Sequence, residues 1–370
     1  MFFKVLIQYL ESLRLSDLII VITALYIIYK NNIQMIKLED IVLGRTKKSP
    51  LVLSFYKTIV GLTGGLFVSY LINIKGINFN SYIEIQAILF LTVLSFIRFF
   101  SLIDISITSL AIIIYSLNFN SNSLVTADII GLYYLLSFLL IVEGLIMSFD
   151  PKIFSVPIFK KIDNDIYGGY KIKDFYFVIL FLSFIPGSNT YLIGTLFLLS
   201  IMFFGVNESV FTFSKKIAMR VKGSLRVATG IITYILTEIL ASRGNSILIL
   251  ILIFPLLLKG EKYLFREIEK RRKPKFLSNK KYKTILDVRK NSYAYASGLR
   301  AGDKIIQLNG EKEPSYTSII KAVQGLNKNK DVNLTIVNKF NLKKVVNVKI
   351  DSKESSGIII VPAKDEITIK

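Results

Sequence analysis

Histidine and cysteine are both absent from the 370 residues, and their absence removes most familiar catalytic chemistry. A Ser-His-Asp triad, a His-Glu-x-x-His zinc site, a thiolate metal site and a cysteine nucleophile each need one or the other. Acids, amines and hydroxyls remain. Glu143 and Glu238 fall inside long apolar runs, and Lys57 lies near the start of another. A charge at the centre of such a run costs roughly 2.5–3.5 kcal/mol on insertion scales, so each needs a physical reason to be there. Two readings stand side by side: an ion or proton path, or pairing and snorkelling. No Gly-x-Gly-Asp motif of the kind used by intramembrane aspartyl proteases is present in a span, and no constellation of Ser, Lys, Asp and Glu points to catalysis. The expectation is a protein that is not an enzyme, with no metal or cofactor.

Residues 291–311, NSYAYASGLRAGDKIIQLNGE, carry a binding signature instead. Gly298 and Leu299 suit the end of a short helix with Leu299 turning into a core. Gly302-Asp303 suits a turn that launches the strand KIIQL, and Asn309-Gly310 a tight turn with positive φ. The stretch resembles the core of bacterial PDZ domains, although Tyr293 stands where that family usually has Pro and Ser297 where it usually has Ala. The resemblance covers about 80 residues, 283–362. It implies that the domain captures a peptide by adding a strand to a sheet edge beside a helix, with loop amides cradling the peptide carboxylate. No Gly-hydrophobic loop precedes the strand TILDV. The candidate is Gly357-Ile358-Ile359-Ile360, with Ile319 and Val323 of the predicted helix SYTSIIKAVQGL across the groove. The same residues equally suit an ordinary core.

The remaining sequence must position this domain, and it is apolar in blocks. The chain is 52% hydrophobic, with mean hydropathy +0.53. Candidate crossings are 15–29, 52–72, 83–97, 102–117, 127–148, 175–188, 191–206, 226–241 and 246–258. The stretch 175–188 is short and ends in Pro186-Gly187, which suits half of a broken or re-entrant hairpin. The expected fold is an α-helical polytopic membrane bundle of eight or nine spans followed by a small α+β PDZ-like domain. Lys and Arg crowd alternate loops, around 30–50, 150–174 and 207–225, whereas the other set holds only Lys75 and Arg243. By the positive-inside rule this predicts a multi-pass cell-membrane protein with its C-terminal domain in the cytoplasm. The N-terminus then lies outside for nine crossings, or inside if residues 1–29 form an interfacial helix or hairpin. Glu11, Arg14 and Asp17 argue against a cleavable signal peptide. The same topology accounts for the net charge of +21 without a nucleic-acid partner.

The predicted divisions are a transmembrane domain 1–258, a basic juxtamembrane helix and linker 259–282, the PDZ-like domain 283–362 and a tail 363–370. Arg266, Lys270, Arg271, Arg272 and Lys273 form a basic collar suited to anionic lipid, at about 1 kcal/mol per residue. Such a collar equally serves as a stop-transfer anchor. Gly61 and Gly65 make a small-residue helix-packing face, open to dimerisation into a homo-oligomer and to packing within one bundle. Many spans, basic loops, a basic collar and one terminal PDZ-like domain resemble the MinJ family of Gram-positive cell-division topology factors. The polar stretch YKNNIQMIKLEDIVLGRTKK before the Gly-rich second span adds to that resemblance. It implies a scaffold whose partners are a DivIVA-type scaffold and a MinD-type ATPase, placed at the division site. The alternatives are a transporter or channel with a regulatory PDZ domain, using Glu143 and Glu238, and an accessory subunit of a separate membrane protease.

Overall fold

A computed structural model describes residues 15–44, 48–77, 79, 82–101, 125–150, 154–162, 165–184, 196–243, 248–323, 331–338, 340–349 and 356–366. Six long helices are α1 (Leu15–Leu43), α2 (Pro50–Ile74), α3 (Tyr82–Ser101), α4 (Val125–Phe149), α5 (Lys215–Ala241) and α6 (Leu248–Lys270). Pro50 opens α2 at its first turn, where a missing N–H costs nothing. Among the described residues, four helices are long and apolar enough to cross a membrane: Leu18–Leu43, Pro50–Ile74, Ile130–Phe149 and Lys215–Ala241. The 25 residues of α2 extend about 37 Å, more than the roughly 30 Å of a hydrocarbon core. Helix α1 runs on through the polar stretch expected as a loop. Its Asn32, Met35 and Ile36 are buried while Leu38 and Ile41 face outward.

The expectation of eight or nine helical crossings does not hold. In two of the nine candidates, 175–188 and 191–206, the described residues 175–184 and 196–206 are strand. Strand β1 (Ser155–Ile162) pairs with β2 (Asp165–Phe184), and β2 with β3 (Leu196–Val210), all antiparallel. Phe175–Phe184 lies against Leu196–Gly205 in continuous register. The run FYFVILFLSF is aromatic and branched, and its described residues are buried on both faces apart from half-buried Phe181. It therefore lacks the alternation that marks a half-exposed strand. Ten residues of strand reach about 33 Å, as far as some 22 residues of helix. The candidate crossing 102–117 and the Pro186-Gly187 turn lie outside the described residues.

A strand buried this deeply must satisfy its backbone edge. Strand β1 covers β2 only up to Ile172, and beyond it helix α2 takes over. Its residues at every fourth position, Lys57, Gly61, Gly65 and Ser69, meet β2 residues at or near every second one. Lys57 pairs with Asp174, Gly61 and Gly65 abut the carbonyls of Phe177 and Ile179, and the Phe181 N–H donates to Ser69 Oγ at 2.9 Å. Four helical residues rise about 6.0 Å and two strand residues about 6.6 Å, so the two repeats stay in step over this length. A Cβ on Gly61 or Gly65 would overlap the strand carbonyls. The Gly61/Gly65 face thus serves a strand edge within the chain; the helix partner expected for it is not what it meets. Helix–helix contact through small residues occurs instead between α4 and α5, where a Cβ on Gly144 would lie 2.6 Å from the Gly223 carbonyl.

After α6 the chain forms a second sheet. Its strands are β5 (Lys283–Val288), β6 (Lys304–Leu308), β7 (Glu311–Lys312), β8 (Val332–Val337), β9 (Lys343–Val348) and β10 (Ile358–Ile360). They lie in the order β10-β5-β6-β8-β9, with β7 on β6. Helices α7 (Tyr293–Ala296) and α8 (Tyr316–Val323) close the core. The segment expected as a linker, 259–282, is built into the structure. Residues 259–270 continue α6, and β4 (Phe276–Leu277) pairs with Gly168 and Tyr167 of β2. The Tyr170 hydroxyl donates to the Leu286 carbonyl of β5. Tyr170, Phe276, Leu286 and Val361 share one buried cluster with Met147, Met219 and Phe265. The C-terminal domain is therefore docked on the β1–β2 hairpin.

Candidate peptide-binding edge

Strand β10 ends the second sheet on one side, and among the described strands none pairs with its outer edge. Arg289 N–H donates to the Gly357 carbonyl at 2.7 Å and Val361 N–H to the Thr284 carbonyl at 2.9 Å. Residues 357, 359 and 361 thus point their backbone at β5, and by antiparallel alternation Ile358 and Ile360 turn theirs outward. Gly357 starts the strand with φ of +68°, and a Cβ there would lie 2.5 Å from Arg289 Cβ. Only glycine takes this left-handed conformation without strain at a strand start packed so closely on Arg289.

Side chains of β10 alternate between two partners. Ile358 and Ile360 enter the core of the C-terminal domain, whereas Ile359 packs on the cluster shared with the β1–β2 hairpin. The strand that offers its edge is thereby braced by the helical part of the chain. Helix α8 flanks the same core. Ile319 and Val323, expected on the groove wall, are fully buried core residues. Tyr316 and Ile320, one turn apart, are half-buried and pack against that core from its margin. Their signal in the sequence is an apolar stripe of four residues, 316, 319, 320 and 323, wider than a helix of eight residues needs for burial alone. The first turn of α8 is held by Glu366, which accepts from Tyr316 N–H at 2.9 Å and lies 3.3 Å from Lys283 Nζ. Burial, helped by the Glu366 charge, holds the Tyr316 hydroxyl above the usual tyrosine pKa.

The motif residues occupy the turns that connect these strands. Gly298 (φ +99°) ends α7 and Leu299 is fully buried. Gly302 (φ +96°) donates its N–H to the Ile285 carbonyl at 2.8 Å, while Asp303 Oδ2 accepts from Arg300 N–H at 2.9 Å. Asn309 and Gly310 both have positive φ, which places the sharp turn between β6 and β7. In the collar, Arg266, Lys270, Arg271, Arg272 and Lys273 are all exposed. Lys270 and Arg271 share Glu267 at 3.3 and 3.9 Å, and the Arg272 guanidinium lies 4.6 Å from the Phe213 ring centre.

The charges noted in apolar runs all have counter-charges. Lys57 meets Asp174, and Glu238 meets Lys75. Glu143 lies 3.6 Å from Arg226, which in turn lies 3.3 Å from Glu261, while Lys222 of the next helical turn pairs with Glu208. Each acid lies far from its cation in sequence, so no local pattern announced the pairing. No curated protein matches the chain. The family model for the PDZ domain matches residues 274–350, from just before β4 to just past β9, and this stretch is thereby a PDZ domain.

Proposed function

We propose that the chain is a membrane-embedded adaptor that holds its PDZ domain on the cytoplasmic face and captures extended segments of partner proteins there. The observation that carries this reading is the outer edge of β10, which no other described strand pairs, together with half-buried Tyr316 and Ile320 on the same core. An incoming strand gains main-chain hydrogen bonds along Ile358 and Ile360, and its alternate side chains lie against Tyr316 and Ile320. Support for the membrane comes from the four long apolar helices, and support for the orientation from the Lys and Arg bias between apolar runs. Docking through Tyr170 and β4 fixes the edge at a set place beside the bundle. A weak peptide contact then reaches high occupancy because both partners are confined to one surface. The protein is read as binding, not catalysing. The narrower role of division-site placement, with a DivIVA-type scaffold and a MinD-type ATPase as partners, rests on the MinJ-like architecture alone.

In-cell photo-crosslinking tests the reading. A crosslinking amino acid at Tyr316 should capture discrete partner proteins, and one at Glu311, on the exposed strand β7, should not. Equal capture from both positions would remove the groove from the account. For the division role, a fluorescent fusion spread evenly around the envelope, together with unchanged division on deletion, would refute it.

A further inference from the structure

The far edge of the PDZ sheet carries a second feature, separate from the β10 groove. Strands β8 and β9 are joined by a turn that displays Phe340 and Leu342 with 69% and 63% of their surface exposed, and Val345 of β9 follows at 67%. This turn is braced from within. Asn338 Oδ1 accepts from both Phe340 N–H (2.9 Å) and Leu342 N–H (3.0 Å), its backbone N–H donates to the Leu342 carbonyl at 3.0 Å, and Asn341 sits at φ +60°. These bonds hold the backbone of the turn in a shape that keeps both side chains largely exposed. Lys343 and Lys344 follow directly and are exposed. Lys344 reaches back toward Gly298, so Lys343 is the cation beside the turn; two exposed apolar side chains with that lysine match an anionic bilayer surface, with acyl chains for the former and headgroups for the latter.

We propose that the β8–β9 turn is a membrane-contact element, with Phe340 and Leu342 entering the interface of an anionic bilayer and Lys343 on its headgroups. This rests on the membrane reading above. It would hold the PDZ domain at a second point, besides its dock on the hairpin, and leave the β10 edge facing away from the sheet edge that meets lipid.

The chain contains no Trp, so a single introduced Trp reports without background. Full-length Phe340→Trp and, separately, Ile235→Trp on the exposed side of α5 are reconstituted in phosphatidylcholine vesicles with or without phosphatidylglycerol, some lipids being brominated. The expected result is quenching at 235 in both lipids, and at 340 strongly only with phosphatidylglycerol. Adding Lys343→Glu should lower the inserted-to-free ratio at 340 by about fivefold or more. Quenching at 235 with none at 340 would overturn the proposal while leaving the membrane reading intact. A lack of quenching at both would overturn the membrane reading, and this proposal with it. A blue-shifted, unquenched signal at 340 that depends on protein concentration would assign the turn to a second copy and overturn the lipid assignment.

Discussion

Replacing Gly65 by alanine would put a methyl group into the carbonyl of Ile179, a backbone atom in a strand paired along its other side. Neither main chain can yield without a wider shift, so α2 must move outward along its contact with β2. Overpacking of this kind costs about 1–3 kcal/mol. The shift also stretches the 2.9 Å bond from Phe181 N–H to Ser69 Oγ, one turn along. A buried N–H left without that acceptor costs about 1–3 kcal/mol more. Helix propensity returns about 1 kcal/mol, leaving a net loss of roughly 1–5 kcal/mol. Gly64 is the internal control. A Cβ there meets the side-chain ends Val142 Cγ1 at 2.9 Å and Ile146 Cδ1 at 3.3 Å, which can rotate aside. Its replacement by alanine should therefore cost about 1 kcal/mol or less. Ser69→Ala isolates the hydrogen bond and should cost about 1–3 kcal/mol. Reversible unfolding of the full chain in detergent micelles or bicelles measures all three. Stability of Gly65→Ala equal to the parent, with Gly64→Ala the damaging change, would refute the idea that the glycine stripe seats a strand edge.

Other consequences are open to measurement. Lys57→Met should cost about 3–5 kcal/mol by stranding the buried Asp174 charge, whereas a Lys57→Met/Asp174→Leu double variant should recover most of it in a double-mutant cycle. Tyr170→Phe removes only the hydroxyl bonded to the Leu286 carbonyl, and hydrogen exchange should quicken at β5 and β10 while β8 and β9 keep their protection. Ile320→Lys should weaken partner capture with little change in melting temperature, but Ile319→Ala should destabilise the PDZ domain by about 2–5 kcal/mol, because only Ile319 is fully buried. Burial raises the Glu269 pKa in the fold, even though the Phe211 and Thr212 N–H groups partly oppose it. The folded state then holds its proton to higher pH than the unfolded state does. Stability from this group is greatest in acid and falls as pH rises from the ordinary carboxylate range through the raised value. Glu269→Gln, which keeps an acceptor for the 2.6 Å bond from Phe211 N–H, should flatten that slope in melting curves taken across the range.

What the sequence made legible follows from local physics. Gly298, Gly302 and the Asn309-Gly310 pair need positive φ at fixed offsets, and few folds ask for that combination, so the PDZ domain could be recognised from one stretch. Helices α2 and α4 were equally plain, because runs of 25 mostly apolar residues are too long for a strand. The β2–β3 hairpin was not. A run of ten to fifteen apolar residues buried on both faces looks the same as a short buried helix, and only the density of Phe, Val and Ile hinted otherwise. Gly61 and Gly65 showed that something approaches α2 closely, but a glycine face does not say whether a helix or a strand carbonyl fills it. In the groove, Ile319 and Val323 of α8 are the residues expected opposite Gly357–Ile360. Both are fully buried, whereas Tyr316 and Ile320 are half-buried at the margin, and a stripe alone does not tell its centre from its margin.

The adaptor function depends most on where the PDZ domain sits relative to the membrane. Because the chain has no cysteine, Lys312→Cys on the exposed strand β7 gives one labelling site without background. A membrane-impermeant maleimide should leave intact cells unlabelled at this position and react fully once the membrane is opened. Labelling in intact cells would place the domain outside and contradict the adaptor function.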